Sequence, residues 1–405
     1  MTKFKVAMIG CGARSLAYAK PLVDSGKAEI VACADPSWPH TKNMLDYAKV
    51  DEKSIRHYTD WKELLDREKE LHGAVIATPN NQHCEPAIAV LERGLPLALE
   101  KPLTTTMEDS EKLLDVVRRH NSQIILGFVL RSTPFYEIIR ETLDSGRIGR
   151  VVSIEADELV MPGISSVITR SPWRRFAMQS GGSMMEKSSH DMDLMNWFAG
   201  GRPEAVSSFG GSLLFRPNPT LPMKCDGCPA AESCLYYKKP QFSKAAGDEV
   251  LQNSLERDLD SCIYNIDKDV YDNQIVSIRY SNGIIVNFTL AFNCIGERGG
   301  RNIHIIGSKG RVWGNIDANE IGVHENLSGK TEHIQVPRRE GGHNGGDNFH
   351  ALNLIRMMED HSFHPAQDAY AGYLSNAICI AADRSINEER QIHFSYRSNG
   401  YIEFN

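Results

Sequence analysis

Ten residues near the start of the chain, Val6-Ala7-Met8-Ile9-Gly10-Cys11-Gly12-Ala13-Arg14-Ser15, constrain the fold more than any other stretch. The apolar run 6–9 suits a buried parallel strand, and it stops at Gly10, with Gly12 two residues on and a helical pattern (Leu16, Ala17, Ala19, Leu22) behind. Gly10 permits a sharp turn out of the strand. Gly12 removes the Cβ that would hold a pyrophosphate away from the backbone, while the free N–H groups of Ala13, Arg14 and the new helix face the phosphates. Ser15 stands where a third glycine is usual and is small enough for close helix–strand packing. A second apolar run, 30–34, ends in Asp35, 23 residues beyond Gly12, where a carboxylate accepts hydrogen bonds from ribose hydroxyls. A carboxylate there repels a 2′-phosphate, so the expected cofactor is NAD rather than NADP.

The chain has 405 residues, too many for one typical core. Strands at 73–77, 95–99 and 124–129 alternate with helices at 41–49, 61–70, 83–93 and 108–120, the pattern of a doubly wound parallel sheet. Ligands of such sheets gather beyond the strands' carboxyl ends, which here carry Gly10, Asp35, Thr78, Asn80, Lys101 and Arg131. After residue 150 the pattern turns to alternating strands (205–214, 272–280, 284–292, 302–307, 310–315) with tight turns such as Ser281-Asn282-Gly283 and a helix at 183–198. The expected division is a Rossmann domain over 1–125 and an α/β domain with a large, mostly antiparallel open sheet over 126–405, carrying a cysteine-containing insertion at about 216–265.

A net charge of −7 without basic tracts argues against nucleic acid, and no apolar run approaches the ~20 residues of a membrane span. The first strand begins almost at once and several of the nine cysteines lie in apolar runs, so a cytoplasmic protein without a signal peptide is expected. Cys225, Cys228 and Cys234 cluster in a polar loop with Cys262 as the nearest fourth ligand, which suggests a structural zinc. Free thiols, a disulfide or an iron–sulfur cluster are the alternatives.

Four stretches together resemble the Gfo/Idh/MocA family of NAD(P)-dependent oxidoreductases, which includes glucose–fructose oxidoreductase and inositol dehydrogenases. They are the N-terminal fingerprint, Ala77-Thr78-Pro79-Asn80 with His83, Glu100-Lys101-Pro102, and the segment from Gly181 to Asp193. The resemblance implies a cofactor site that includes Thr78, Pro79, Asn80, His83, Glu100 and Lys101, and a sheet that often forms a homo-dimer or homo-tetramer interface. Where an aspartate commonly precedes the family's histidine by four, this chain has Glu186.

Oxidising a hydroxyl needs a base for its proton and a cation to steady the alkoxide. Glu186 and His190 share a helix face with Asp193 one turn on, and Lys101 supplies the cation. Lys187 points elsewhere on the helix, either to substrate or to solvent. Arg170-Ser171-Pro172-Trp173-Arg174-Arg175 fits a substrate-side loop. Its arginines suit an anionic group, a solvated face or an oligomer contact. The turn Gly342-His343-Asn344-Gly345-Gly346-Asp347 resembles the family's glycine-rich turn, with His343 a hydroxyl contact. The expected activity is hydride transfer between NAD and a secondary hydroxyl of a carbohydrate-like substrate. The alternative is a glycoside hydrolase that oxidises, eliminates, hydrates and reduces with recycled NAD.

Overall fold

The computed structural model describes residues 3–238, 258–296 and 299–405. These form two compact units. One takes the described residues up to Val129 together with Glu340–Asn376; the other takes the described residues between Leu130 and Arg339 and adds Ala377–Asn405.

In the first unit, β1 (Phe4–Ile9), β2 (Ala28–Ala34), β3 (Arg56–Tyr58), β4 (Gly73–Ile76), β5 (Leu97–Leu99) and β6 (Ile124–Leu126) form one sheet in the order β3-β2-β1-β4-β5-β6. Every pairing is parallel. All residues of β4, β5 and β6 are buried, as expected for strands covered on both faces. The strand order reverses between β1 and β4, and the crevice beyond that switch point is where such sheets bind ligands. Leu354, Ile355 and Met358 of the helix Gly346–Glu359 join Val6, Met8 and Leu22 in the core of this unit. Gly73 makes room for them, because a Cβ there would meet Met358 Sδ at 2.9 Å.

The second unit holds β7 (Val151–Val160), β8 (Pro203–Gly211), β9 (Asn273–Tyr280), β10 (Ile285–Phe292), β11 (Gly300–Gly307), β12 (Gly310–Asn315), β13 (Glu320–Glu325), β14 (Thr331–Gln335), β15 (Ile392–Tyr396) and β16 (Ile402–Phe404). Their order is β14-β13-β12-β11-β7-β10-β9-β8-β15-β16. Only β7 and β10 pair in parallel within it. Alternation sorts the two faces: Val286, Phe288 and Leu290 of β10 are buried while Ile285 and Asn287 are exposed. The helix Gly182–Ala199, most of whose residues are buried, packs against β7 and β10. No helix among the described residues is long and apolar enough to cross a membrane.

Candidate active site

The turn after β1 has the geometry its glycines imply. Gly10 has φ +82°, and a Cβ on it would lie 2.7 Å from Ala77 C, Ala77 O and Thr78 N, so only glycine lets β1 turn beside the loop after β4. Gly12 differs. No protein atom lies within 4 Å of where its Cβ would be, and its φ of −72° is open to any residue. The protein's own packing does not demand glycine there, whereas a pyrophosphate against the backbone would. Ser15 closes the turn, its Oγ donating to Gly12 O at 2.7 Å, and the helix Leu16–Asp24 follows. Asp35 is buried at the end of β2, accepting from Cys11 N at 2.7 Å and Ser37 N at 2.8 Å. These residues fit NAD: backbone N–H groups of Gly12, Ala13 and Arg14 for the pyrophosphate, Asp35 for a ribose, and Thr78, Pro79 and Asn80 flanking the crevice.

Lys101 lies two residues beyond β5, in a segment braced from below. Glu100 is buried and its Oε1 accepts from Arg14 Nε (3.0 Å), Arg14 Nη2 (2.8 Å) and Tyr18 OH (3.0 Å). The same guanidinium reaches Asp347 Oδ1 at 3.1 Å, and Asp347 holds His343 Nδ1 at 3.0 and 3.1 Å. Burial would raise the Asp347 pKa, but Arg14 and His343 hold it well below the usual carboxylate range. His343 and Asn344 both have positive φ, and a Cβ on Gly342 would lie 2.1 Å from Asp347 Oδ2, so the glycine-rich turn gives this pair its room. His83, expected beside the cofactor, is wholly buried, with Nδ1 2.7 Å from Pro102 O and Nε2 3.0 Å from Thr78 O. It bolts the Thr78 and Pro102 loops together.

In the second unit, His190 is buried on the helix Gly182–Ala199, with Glu186 and Asp193 one turn to either side on its face. An arginine clamps each carboxylate. Arg174 Nε donates to Glu186 Oε1 at 2.9 Å, with the guanidinium 4.1 Å over the Trp173 ring. Arg131 Nε and Nη2 donate to Asp193 at 2.6 and 2.5 Å in a bidentate pair. On the neighbouring flank Lys187 Nζ lies 2.9 Å from Glu158 Oε1, and Arg301 bridges Glu158 and Asp191, both at 2.7 Å. Burial, reinforced by Glu158 and only partly offset by Arg301, raises the Asp191 pKa to about 6. Periodicity placed Glu186 beside His190 but carried no signal for Arg301 or Glu158, which approach from β11 and β7.

The described residues lend the expected zinc site no support. Among the described residues no three His, Cys, Asp or Glu side chains come together to hold a metal, and Cys225, Cys228, Cys234 and Cys262 are free thiols. Residues 239–257 of the insertion lie outside the described residues. A cation already sits in this part of the fold. Arg170 is fully buried and donates to Ser261 O (2.7 Å), Ser166 Oγ (2.9 Å), Tyr236 O (2.9 Å) and Cys225 Sγ (3.8 Å). Burial pushes the Cys225 thiol pKa up, and that guanidinium opposes the shift. The guanidinium ties the insertion to the helix Pro162–Arg170.

Comparison with known proteins agrees with this geometry. Residues 4–128 match the Gfo/Idh/MocA oxidoreductase family's NAD-binding Rossmann fold, and 140–394 match that family's C-terminal alpha/beta domain. The oxidoreductase named YteT of Bacillus subtilis is 28% identical over 353 residues, covering 78% of this chain and 80% of that protein. The 2,7-anhydro-N-acetylneuraminate hydratase of Mediterraneibacter gnavus is 26% identical over 211 residues, 51% of this chain and 52% of its own length. Among solved structures, levoglucosan dehydrogenase in complex with NADH and levoglucosan superposes with a TM-score of 0.74 at 20% identity, over 97% of this chain and 99% of that one.

Proposed function

Because this chain belongs to the Gfo/Idh/MocA family of NAD-binding oxidoreductases, we propose that it moves a hydride between NAD and a secondary hydroxyl of a sugar or polyol. The observation that most supports this reading is His190 between two arginine-clamped carboxylates on one helix face. NAD, when bound, supplies the hydride acceptor or donor. His190 takes the hydroxyl proton on its imidazole, and Glu186 and Asp193 keep that face polar and preorganised. Lys101 donates from Nζ to the oxygen that becomes negative. Arg131, Trp173, Arg174, Lys187 and His343 belong to the substrate side of this reading. Asp35 makes NAD the preferred cofactor, since its buried charge opposes a 2′-phosphate. A homo-oligomer is part of the proposal, because Phe209, Ile275 and Ile285 leave one sheet face apolar and exposed.

A second reading, a redox-neutral reaction with recycled NAD, is favoured by the likeness to a hydratase of an anhydro sugar. It uses the same cofactor and base. The deciding experiment incubates the protein with NAD and a panel of free sugars, polyols and glycosides, following NADH and released aglycone together. Net NADH supports the first reading, and aglycone without NADH the second. On the substrate so found, His190→Ala and Lys101→Ala should each lower kcat by about 10²- to 10⁴-fold, with NAD affinity little changed. Parent rates in both variants would remove these residues from the chemistry.

A further inference from the structure

The arginines around the His190 helix invite an anionic substrate, but their partners cancel them. Arg174 is matched by Glu186 and Arg131 by Asp193, with the four side chains between 1% and 15% exposed. On the adjoining flank Lys187 and Arg301 are matched by Glu158 and Asp191. Four cations face four carboxylates. Of the other arginines in the 170–175 segment, Arg170 is buried among carbonyl oxygens. Arg175 lies 4.8 Å over Phe176 and donates to Ser171 O. The four cations Arg174, Arg131, Lys187 and Arg301 therefore bring no net charge to the His190 helix, whereas Arg170 and Arg175 are held by carbonyl oxygens and a ring.

We propose that the His190 face selects an uncharged polyol or sugar against its carboxylated or phosphorylated counterpart, with the Arg174–Glu186 and Arg131–Asp193 pairs as the specificity-determining groups. The inference rests on the dehydrogenase reading and narrows its substrate class. An ion pair offers hydroxyl groups donors and acceptors in fixed places while carrying no net charge. An arriving carboxylate would have to share each guanidinium with one already bound to it. Two like charges at one desolvated cation repel, and that repulsion is the means of rejection. The bidentate clamp commits the Nε–Nη2 edge of Arg131 to Asp193, so an anion arriving at the remaining Nη1 edge meets a guanidinium whose charge is already balanced.

The test compares matched pairs with NAD: glucose with glucuronate and with glucose 6-phosphate, and an alditol with its aldonate. The expected kcat/KM favours the neutral member by about a hundredfold. In Asp193→Asn, which unmasks Arg131, that ratio should narrow about tenfold through the KM of the anion. An unchanged ratio in folded Asp193→Asn protein would overturn the assignment. Where that variant fails to fold, the wild type still decides: its KM for the neutral member should not vary with salt, and an anion KM that tightens as salt is lowered would overturn the proposal. A wild-type preference for the charged member overturns it too, leaving the dehydrogenase reading intact. Absence of NADH with every member removes that reading and this inference together.

Discussion

Asp35 and Asp193 are both buried carboxylates, but they are held in different ways. Asp35 takes its hydrogen bonds from the backbone, Cys11 N and Ser37 N, close to the turn it serves. Asp193 takes its own from the guanidinium of Arg131, 62 residues away in the chain. The cofactor turn is therefore a backbone device, specified by where glycine is required and where it is merely allowed. The His190 face is a side-chain device, in which charge is placed only because distant residues cancel it. A backbone device should fail through strain and clash; a side-chain device should fail through an exposed charge.

The largest expected effect breaks the backbone device at its tightest point. Gly10→Ala sets a methyl group 2.7 Å from three backbone atoms and forces alanine to φ +82°. Left-handed backbone costs roughly 1–2 kcal/mol and a clash with rigid atoms roughly 1–3 kcal/mol more, so about 3 kcal/mol of stability should be lost. NAD binding should go with it. Thermal unfolding and NAD titration of the variant check both. Parent stability would mean that β1 can leave the loop after β4 without penalty.

This contrast also explains what was legible in the sequence. The parallel sheet, its strand ends and the fingerprint follow from short-range pattern, because alternating runs and glycines act within a few residues. The place of the helix Gly346–Glu359 in the core with Val6 and Met8 depends on packing that no local period encodes. Strands β13 to β16 escaped notice because their alternation is short and partly exposed. In the candidate site, Glu186, His190 and Asp193 could be read from helical spacing, but not the arginines that clamp the two carboxylates. The cysteine cluster shows the same limit: spacing proposes a metal, but carries no signal for Arg170, which reaches Cys225 from 55 residues away. Nor does the resemblance that puts His83 at the cofactor show the two carbonyl oxygens that hold its ring.

A smaller effect asks whether the charges in the cofactor unit are matched as closely as those on the His190 helix. His350 is wholly buried near Arg14, Glu100 and Asp347. Burial lowers its pKa from 6.5 to about 4, with Arg14 adding to the shift and the two carboxylates opposing it. The folded state therefore binds its proton later than the unfolded chain does. Its stability contribution is full above pH 6.5 and is lost as pH falls from 6.5 toward 4, by about 3 kcal/mol over the window. His350→Gln should flatten the stability–pH curve there, as denaturant unfolding at a series of pH values would show. An unaltered slope would mean that the carboxylates stabilise a charged His350 and that this cluster, too, is built from side-chain charge.

The smallest effect on stability is the sharpest test of the backbone device, because it separates what the fold needs from what the ligand needs. At Gly12 φ is −72° and no protein atom lies within 4 Å of a Cβ, so Gly12→Ala brings neither clash nor strain. Removing glycine's freedom from the unfolded chain should leave stability unchanged or raise it by roughly 0.4–1 kcal/mol. NAD affinity should nonetheless fall, because the new methyl group stands where the pyrophosphate must approach the backbone. The two neighbouring glycines would then part company: alanine at position 10 would cost both folding and binding, and at position 12 binding alone. Melting temperature and NAD dissociation constant, measured on the same preparation, decide it. If Gly12→Ala binds NAD as tightly as the parent, the pyrophosphate does not lie against this turn and the fingerprint's second glycine serves neither packing nor cofactor.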